Sequence, residues 1–268
     1  MLQRHSADGA IQLVDVGPAR TGRLLVGLLA FFGLPALAGC DSGIDTGPSV
    51  PIPVVQSLLV AGDSIQIAWV EWRVPAESAF TTDVRPVDTG LVQLSLVLPG
   101  GISVPFAPAA GIPGRFDAAA TVNPGTSYGL QGTVAGLTVS GSTAVPQLLD
   151  VRAPAQDTIR FPSGACFGLC PLPYELVAPG ATGYLFVQTR QQPGGGSVTL
   201  QIDASADSAG ILYVFQSRSG PDTATLALYA VEPHAAAFIL RSTPKSSLTG
   251  IFGLFGAATR ATRRIIWE

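Results

Sequence analysis

The chain has 268 residues, 47% of them hydrophobic and only 12% charged, with a formal net charge of −3. Disorder needs low hydrophobicity and high charge, so this composition excludes it. Lys245 is the sole lysine and no basic patch stands out, which argues against a nucleic-acid partner. The 31 glycines and 22 prolines point to a folded chain with many turns.

The first element in chain order is an uncharged apolar run from Leu24 to Gly39, preceded by Arg20 and Arg23. A spanning helix needs roughly 20 apolar residues, so the run is short for a permanent anchor, while the arginines supply the positive region of a secretory signal. Its end, Leu37-Ala38-Gly39-Cys40, fits the lipobox of bacterial lipoproteins. Small residues at 38 and 39 admit the signal peptidase, which cuts between Gly39 and Cys40, and the Cys40 thiol takes the diacylglyceryl group. A core helix ending at a chance cysteine explains neither the arginines nor the polar Gly/Pro stretch that follows. The expectation is a signal peptide over 1–39 and a lipidated flexible tether over 40–53. Asp8 and Asp15 are unusual in such a leader, and a start at Val16 gives a tidier signal. The mature sequence is short of runs long enough to cross a membrane, so attachment rests on lipid. Two or three acyl chains hold firmly at about 0.8 kcal/mol per buried CH₂.

From Val54 onward the text reads as short strands between turn residues. "QSLLVAGDSIQIAWV" gives two strands around Gly62-Asp63, with Ile65, Ile67 and Trp69 alternating on one face. Residues 75–89 read as an exposed loop, and further strands follow at turns marked by Pro99-Gly100-Gly101, Pro113-Gly114 and Pro124-Gly125. About seven strands at a spacing of 8 to 12 residues predict an immunoglobulin-like β-sandwich over 54–147. Tyr128 stands there either as a corner tyrosine or as a plain core aromatic. Prolines 146 to 154 mark a boundary. A second β-rich domain over 155–268 follows, with strands in "GYLFVQTR", "GSVTLQID", "GILYVFQS" and "ATLALYAV". Glu232-Pro233 opens a short helix near 233–241, and the Gly-spaced tail ends as a strand reaching Trp267. The fold class is therefore mainly β, with one short helix.

Cys166 and Cys170 remain once Cys40 is lipidated. In an oxidising compartment an even remainder suggests a disulfide, and two thiolates without His or further Cys do not make a zinc set. No metal and no cofactor are expected. His234 is the mature chain's one histidine and sits beside Glu232, but it stands in a short apolar helix and reads as a surface or capped side chain. Asp203 and Asp207 read as solvated turn acids. They only faintly resemble a calcium loop, lacking its sixth-position Gly and twelfth-position Glu. The serine stretches lack a nucleophile elbow, and Gly194-Gly195-Gly196 lacks the following Lys-Ser/Thr of a phosphate loop. The chain is not expected to be an enzyme. An envelope hydrolase is the least favoured reading. The candidate contact surface is instead Trp72 with the adjacent loop residues Asp83, Arg85 and Asp88. Trp69 reads more readily as a core tryptophan than Trp72 does.

The lipobox, the first strand "QSLLVAGDSIQIAWV", the module from Asp88 to Pro146 and the ending "LTGIFGLFGAATR" together resemble a family of uncharacterised bacterial outer-membrane lipoproteins. That family is often encoded beside TonB-dependent receptors. Thr249-Gly250 stands where two glycines are usual, and the Cys166–Cys170 pair is not a family hallmark. The resemblance supplies no catalytic residues. It implies a lipid-anchored binding or accessory protein of the cell envelope, on the outer rather than the inner membrane, with a TonB-dependent transporter as partner. A structural or adhesive sandwich is the other non-enzymatic reading. Asp41, after the lipid cysteine, signals inner-membrane retention in some bacteria and not in others.

Overall fold

Alternating apolar and polar residues give the described residues seventeen strands and one α-helix. The computed structural model describes residues 51–73, 85–162, 164, 166, 168–191, 197–216, 222–240 and 246–268; Gly39, Cys40 and Asp83 lie outside them. The first half contains β1 (Ile52–Val60), β2 (Gln66–Arg73), β3 (Val92–Val97), β4 (Ser103–Pro105), β5 (Ala107–Pro108), β6 (Arg115–Ala118), β7 (Ser127–Val134) and β8 (Leu137–Ala144). The second contains β9 (Asp150–Ala153), β10 (Thr158–Phe161), β11 (Leu169–Val177), β12 (Gly183–Gln191), β13 (Ser197–Ser205), β14 (Ala209–Phe215) and β15 (Asp222–Val231). Helix α1 (Pro233–Ile239), β16 (Leu248–Thr249) and β17 (Phe252–Trp267) complete the chain.

The strands form three sheets. The largest runs β13-β12-β15-β17-β1-β2-β6-β5 with β10 also on β17, the second runs β16-β8-β7-β3-β4, and the third runs β14-β11-β9. In the first half, β1-β2-β6-β5 faces β8-β7-β3-β4, the ABED-against-CFG division of an immunoglobulin-like sandwich. Its core holds Leu59, Val70, Leu94, Leu96, Phe116 and Leu130. Tyr128 is the corner tyrosine: buried at the start of β7, its hydroxyl accepts the Asn123 backbone N–H at 2.8 Å. The second core packs Leu172, Tyr174, Val214, Leu226, Ile265 and Trp267.

The two cores are not separate along the chain. The sequence places 248–258 with the second β-rich unit, yet Leu248, Ile251, Phe255 and Ala257 pack in the first core. Strand β17 is 16 residues long. Its first part lies parallel to β1, from Val54 opposite Phe252 to Val60 opposite Ala258, and its last part pairs with β15 and β10. Phe255, Ala257, Ile265 and Trp267 stand even numbers apart and so project to one face. The five-stranded and three-stranded sheets accordingly sit side by side on one face of the large sheet. Helix α1 covers the opposite face. Glu232 caps it by accepting the N–H groups of His234 and Ala235 at 2.8 and 2.7 Å, and Pro233 holds its first position. A Cβ on Gly256 would come within 2.8 Å of Ala235 Cβ, so only glycine lets helix and strand approach this closely.

Buried polar groups tie the layers together. The Gln66 side chain accepts the Val60 N–H at 2.9 Å and donates to the Asp63 and Ala120 carbonyls, closing the β1–β2 turn. Gln188 on β12 reaches across the second core, where its Oε1 accepts the Phe215 N–H at 2.7 Å and its amide donates to the Phe215 carbonyl. One side chain thus serves β14 as a strand neighbour would.

Candidate functional site

The three-stranded sheet turns an apolar face outward. Alternation along β11 sends Cys170, Leu172, Tyr174 and Leu176 inward and Leu169, Pro171 and Pro173 outward. Along β14, Leu212 and Val214 point inward, and Ile211, Tyr213 and Phe215 outward. Antiparallel register sets Leu169 opposite Phe215, Pro171 opposite Tyr213 and Pro173 opposite Ile211. Ile211 is 61% exposed, Leu169 54%, Tyr213 51% and Phe215 38%. Six apolar residues therefore form one contiguous strip, whereas scattered single residues would need no explanation. The first charges appear beyond it, where Arg152 pairs with Asp150 and Glu175 at 3.4 Å. By contrast, the neighbouring five-stranded sheet has an outer face of Ser95, Gln131 and Ser140 in one cross-strand row.

Cys166 and Cys170 form a disulfide with their Cα atoms 5.3 Å apart, at the head of β11. It fixes the turn that presents Leu169. Cys170 Sγ also accepts the Trp267 indole N–H at 3.1 Å, joining this turn to the end of β17.

The residues singled out from sequence stand elsewhere. Trp72 packs partly buried against the first core, on the face of Gln66, Ala68 and Val70. Ile65, Ile67 and Trp69 lie off that core face, so the expected roles of the two tryptophans are reversed. The strand faces its core through Ala68 and Val70, which are smaller than Ile67 and Trp69, so side-chain size is no guide to the buried face here. The expected exposed loop is also corrected at its described end. The Arg85 carbonyl accepts the Trp72 N–H at 2.8 Å, the Val87 N–H bonds the Val70 carbonyl, and Val87 is buried. The Arg85 side chain is exposed. Asp88 caps the 3-10 turn Thr89–Leu91 by accepting the Gly90 N–H at 2.9 Å. Arg85 therefore lies beside Trp72, and Asp83 lies outside the described residues.

The described titratable side chains singled out from sequence make local contacts. The Glu232 carboxylate is committed to capping α1, and His234, whose Nδ1 lies 3.3 Å from it, is a largely exposed side chain. Asp203, expected in a turn, stands within β13 opposite Phe186, where alternation continues through the acid, and accepts the N–H of Ala204; Asp207 lies in the following turn and donates its backbone N–H to Ser205 Oγ. No cluster of three metal-ligating residues occurs among the described residues. A groove of about 770 Å³ lies along β17, lined by Thr158, Thr225, Thr262, Arg263, Arg264 and Asp157 among others. Arg263 reaches Asp157 at 3.4 Å there. Threonines are strand formers on a wet face, and this groove is such a face.

Burial also alters acidities around β15. Burial pushes the Tyr229 phenol above the usual tyrosine range, and its hydrogen bond with Arg260 offsets only part of that. Burial opposes the charge on Arg260, but Tyr229 and Asp63 outweigh it and raise the guanidinium pKa overall. Arg260 Nη2 meets Asp63 Oδ1 at 2.6 Å. The trio pins the β1–β2 turn to β15 and β17.

No protein-family model and no curated protein sequence matches the chain. The solved structures similar to the chain include these three. Trypsin-activated alpha-2-macroglobulin from Escherichia coli is 11% identical at a TM-score of 0.26, over 80% of this chain and 15% of that one. A DUF4785 family protein from Legionella pneumophila is 14% identical at 0.19, over 65% of this chain and 51% of that one. CBD12 from CALX1.2 is 7% identical at 0.20, over 80% and 99%. The chain thus spans a small part of the first and about half of the second. At these scores the likenesses carry no argument about function.

The apolar strip is the feature that sequence reading missed. Two prolines within "CPLPYELV" demote a strand reading, and "GILYVF" reads as a run buried on both faces. The outward set emerges only when β11 and β14 are paired.

Proposed function

We propose that the protein is a lipid-anchored, non-enzymatic accessory or binding subunit of the cell envelope that works with a TonB-dependent outer-membrane transporter. The observation that carries this reading is the passage from Leu37-Ala38-Gly39-Cys40, through a short Gly/Pro stretch, into a formed strand at Ile52. A lipobox followed directly by a tether and a folded β body is the layout of an anchored envelope module. The exposed strip on β11 and β14 supports a role in contact rather than in turnover. The transporter as partner and the outer membrane as location rest on the family resemblance. Among the described residues no helix is long and apolar enough to cross a membrane.

The test is a membrane pull-down through a tag at Glu268, with crosslinking and mass spectrometry, beside a Cys40→Ala control. A large β-barrel receptor recovered with the wild type and lost with the control is the expected result. A membrane-bound protein that recovers no receptor removes the transporter from the proposal.

A further inference from the structure

We infer that the strip of Leu169, Pro171, Pro173, Ile211, Tyr213 and Phe215 rests on the lipid bilayer, so that the anchored body lies along the membrane instead of standing away from it. This rests on the lipid-anchor reading above. Three observations favour lipid over a protein partner.

The first is reach. Residues 41–51 separate Cys40 from β1, and an extended chain of that length covers at most about 40 Å. Strand β17 begins beside Val54 and ends beside Cys170, and its 16 residues span about 50 Å. The strip therefore lies at the end of the body remote from the tether. A body lying down brings both ends to the surface, and the tether then has only the thickness of two sheets, spaced about 10 Å apart, to cover.

The second is area. Six partly exposed side chains amount to a few hundred Å², on the order of half the roughly 800 Å² per partner of a stable protein interface. A second copy of this chain, or a soluble partner, gains too little from the strip to hold on. A bilayer already tethered within reach is present at high effective concentration and needs no such area.

The third is chemistry. Pro171 and Pro173 have no N–H, and β9 pairs with β11 only from Glu175 onward, so that edge offers an incoming strand no donors at those two positions. Gln188 occupies the backbone of Phe215 on β14. What remains is a six-residue strip of aliphatic, proline and aromatic side chains, among which the Tyr213 hydroxyl is the polar group. Tyrosine suits the interfacial layer, with its ring among acyl chains and its hydroxyl at the headgroups.

The test uses the full, lipidated protein in vesicles of phosphatidylethanolamine and phosphatidylglycerol, with or without a shallow spin-labelled lipid. With Cys40 acylated and Cys166 bonded to Cys170, Tyr213→Cys supplies one free thiol for an environment-sensitive fluorophore. Thr225→Cys, exposed on the large sheet's other face, is the reference, and Ile211→Cys gives the same readout should the Tyr213 variant fail to fold. The expected result is a blue-shifted label at 213, quenched about twofold or more by the spin-labelled lipid, with the label at 225 unchanged. Labels at 213 and 225 that are equally wet on vesicle-bound protein overturn the inference. A label at 213 that is buried but unquenched means that protein covers the strip, and overturns it too. Protein that does not float with the vesicles at all overturns the anchor, and this inference falls with it.

Discussion

Gln188 bonds both backbone groups of Phe215 from across the second core. Gln188→Leu keeps the volume and strands those two groups, so it should cost about 1–3 kcal/mol by chemical denaturation. Tyr229 gives a pH signature. Its phenol is raised by burial, and that of Tyr184 is raised by burial and by the nearby Tyr174. A raised acid holds its proton in the folded state, so the stability linked to it is full below the unfolded tyrosine pKa of about 10 and is lost as pH climbs through the folded value. Unfolding free energy should therefore decline above pH 10, and Tyr229→Phe should flatten that decline. An unchanged slope in the variant would remove Tyr229 from the account.

At the scale of elements, most strands were legible because period-two alternation and Gly/Pro turns are local signals. The helix was legible from Glu232-Pro233 and closes at Ile239, close to the expected end. Tyr128 and the cysteine pair also read correctly as candidates, because a corner and a four-residue loop are short-range geometry. What escaped was long-range. Nothing near Val54 announces that its parallel partner starts at Phe252. The glycines of the tail look like turns until the pairing is known. Gly250 has φ of +84°, where a Cβ would run into the Thr138 carbonyl, and Gly256 admits α1. Gly256→Ala should accordingly overpack the helix–strand contact and cost about 1–3 kcal/mol, seen as a lowered melting temperature. The apolar strip escaped for the same reason as the tail. Outward residues of β11 and β14 become a strip only through their register.

For the whole molecule, β17 is one strand serving two cores, and this sets how the protein unfolds. Phe255 is fully buried in the first core, and Trp267 reports on the second. Phe255→Ala should cost about 3–5 kcal/mol and lower the transition seen by Trp267 together with that of the first sandwich. Two separated transitions would mean that the cores are independent. The same continuity places the start of β1 and the apolar strip toward opposite ends of β17, and the function proposed rests on whether Cys40 is lipidated. The most direct test of that account is mass spectrometry of the N-terminal peptide of the membrane-extracted protein. The account predicts a mature chain beginning at Cys40 with two or three acyl chains on that residue. An unacylated Cys40, or a mature chain retaining residues before it, would contradict the anchor and the function built on it.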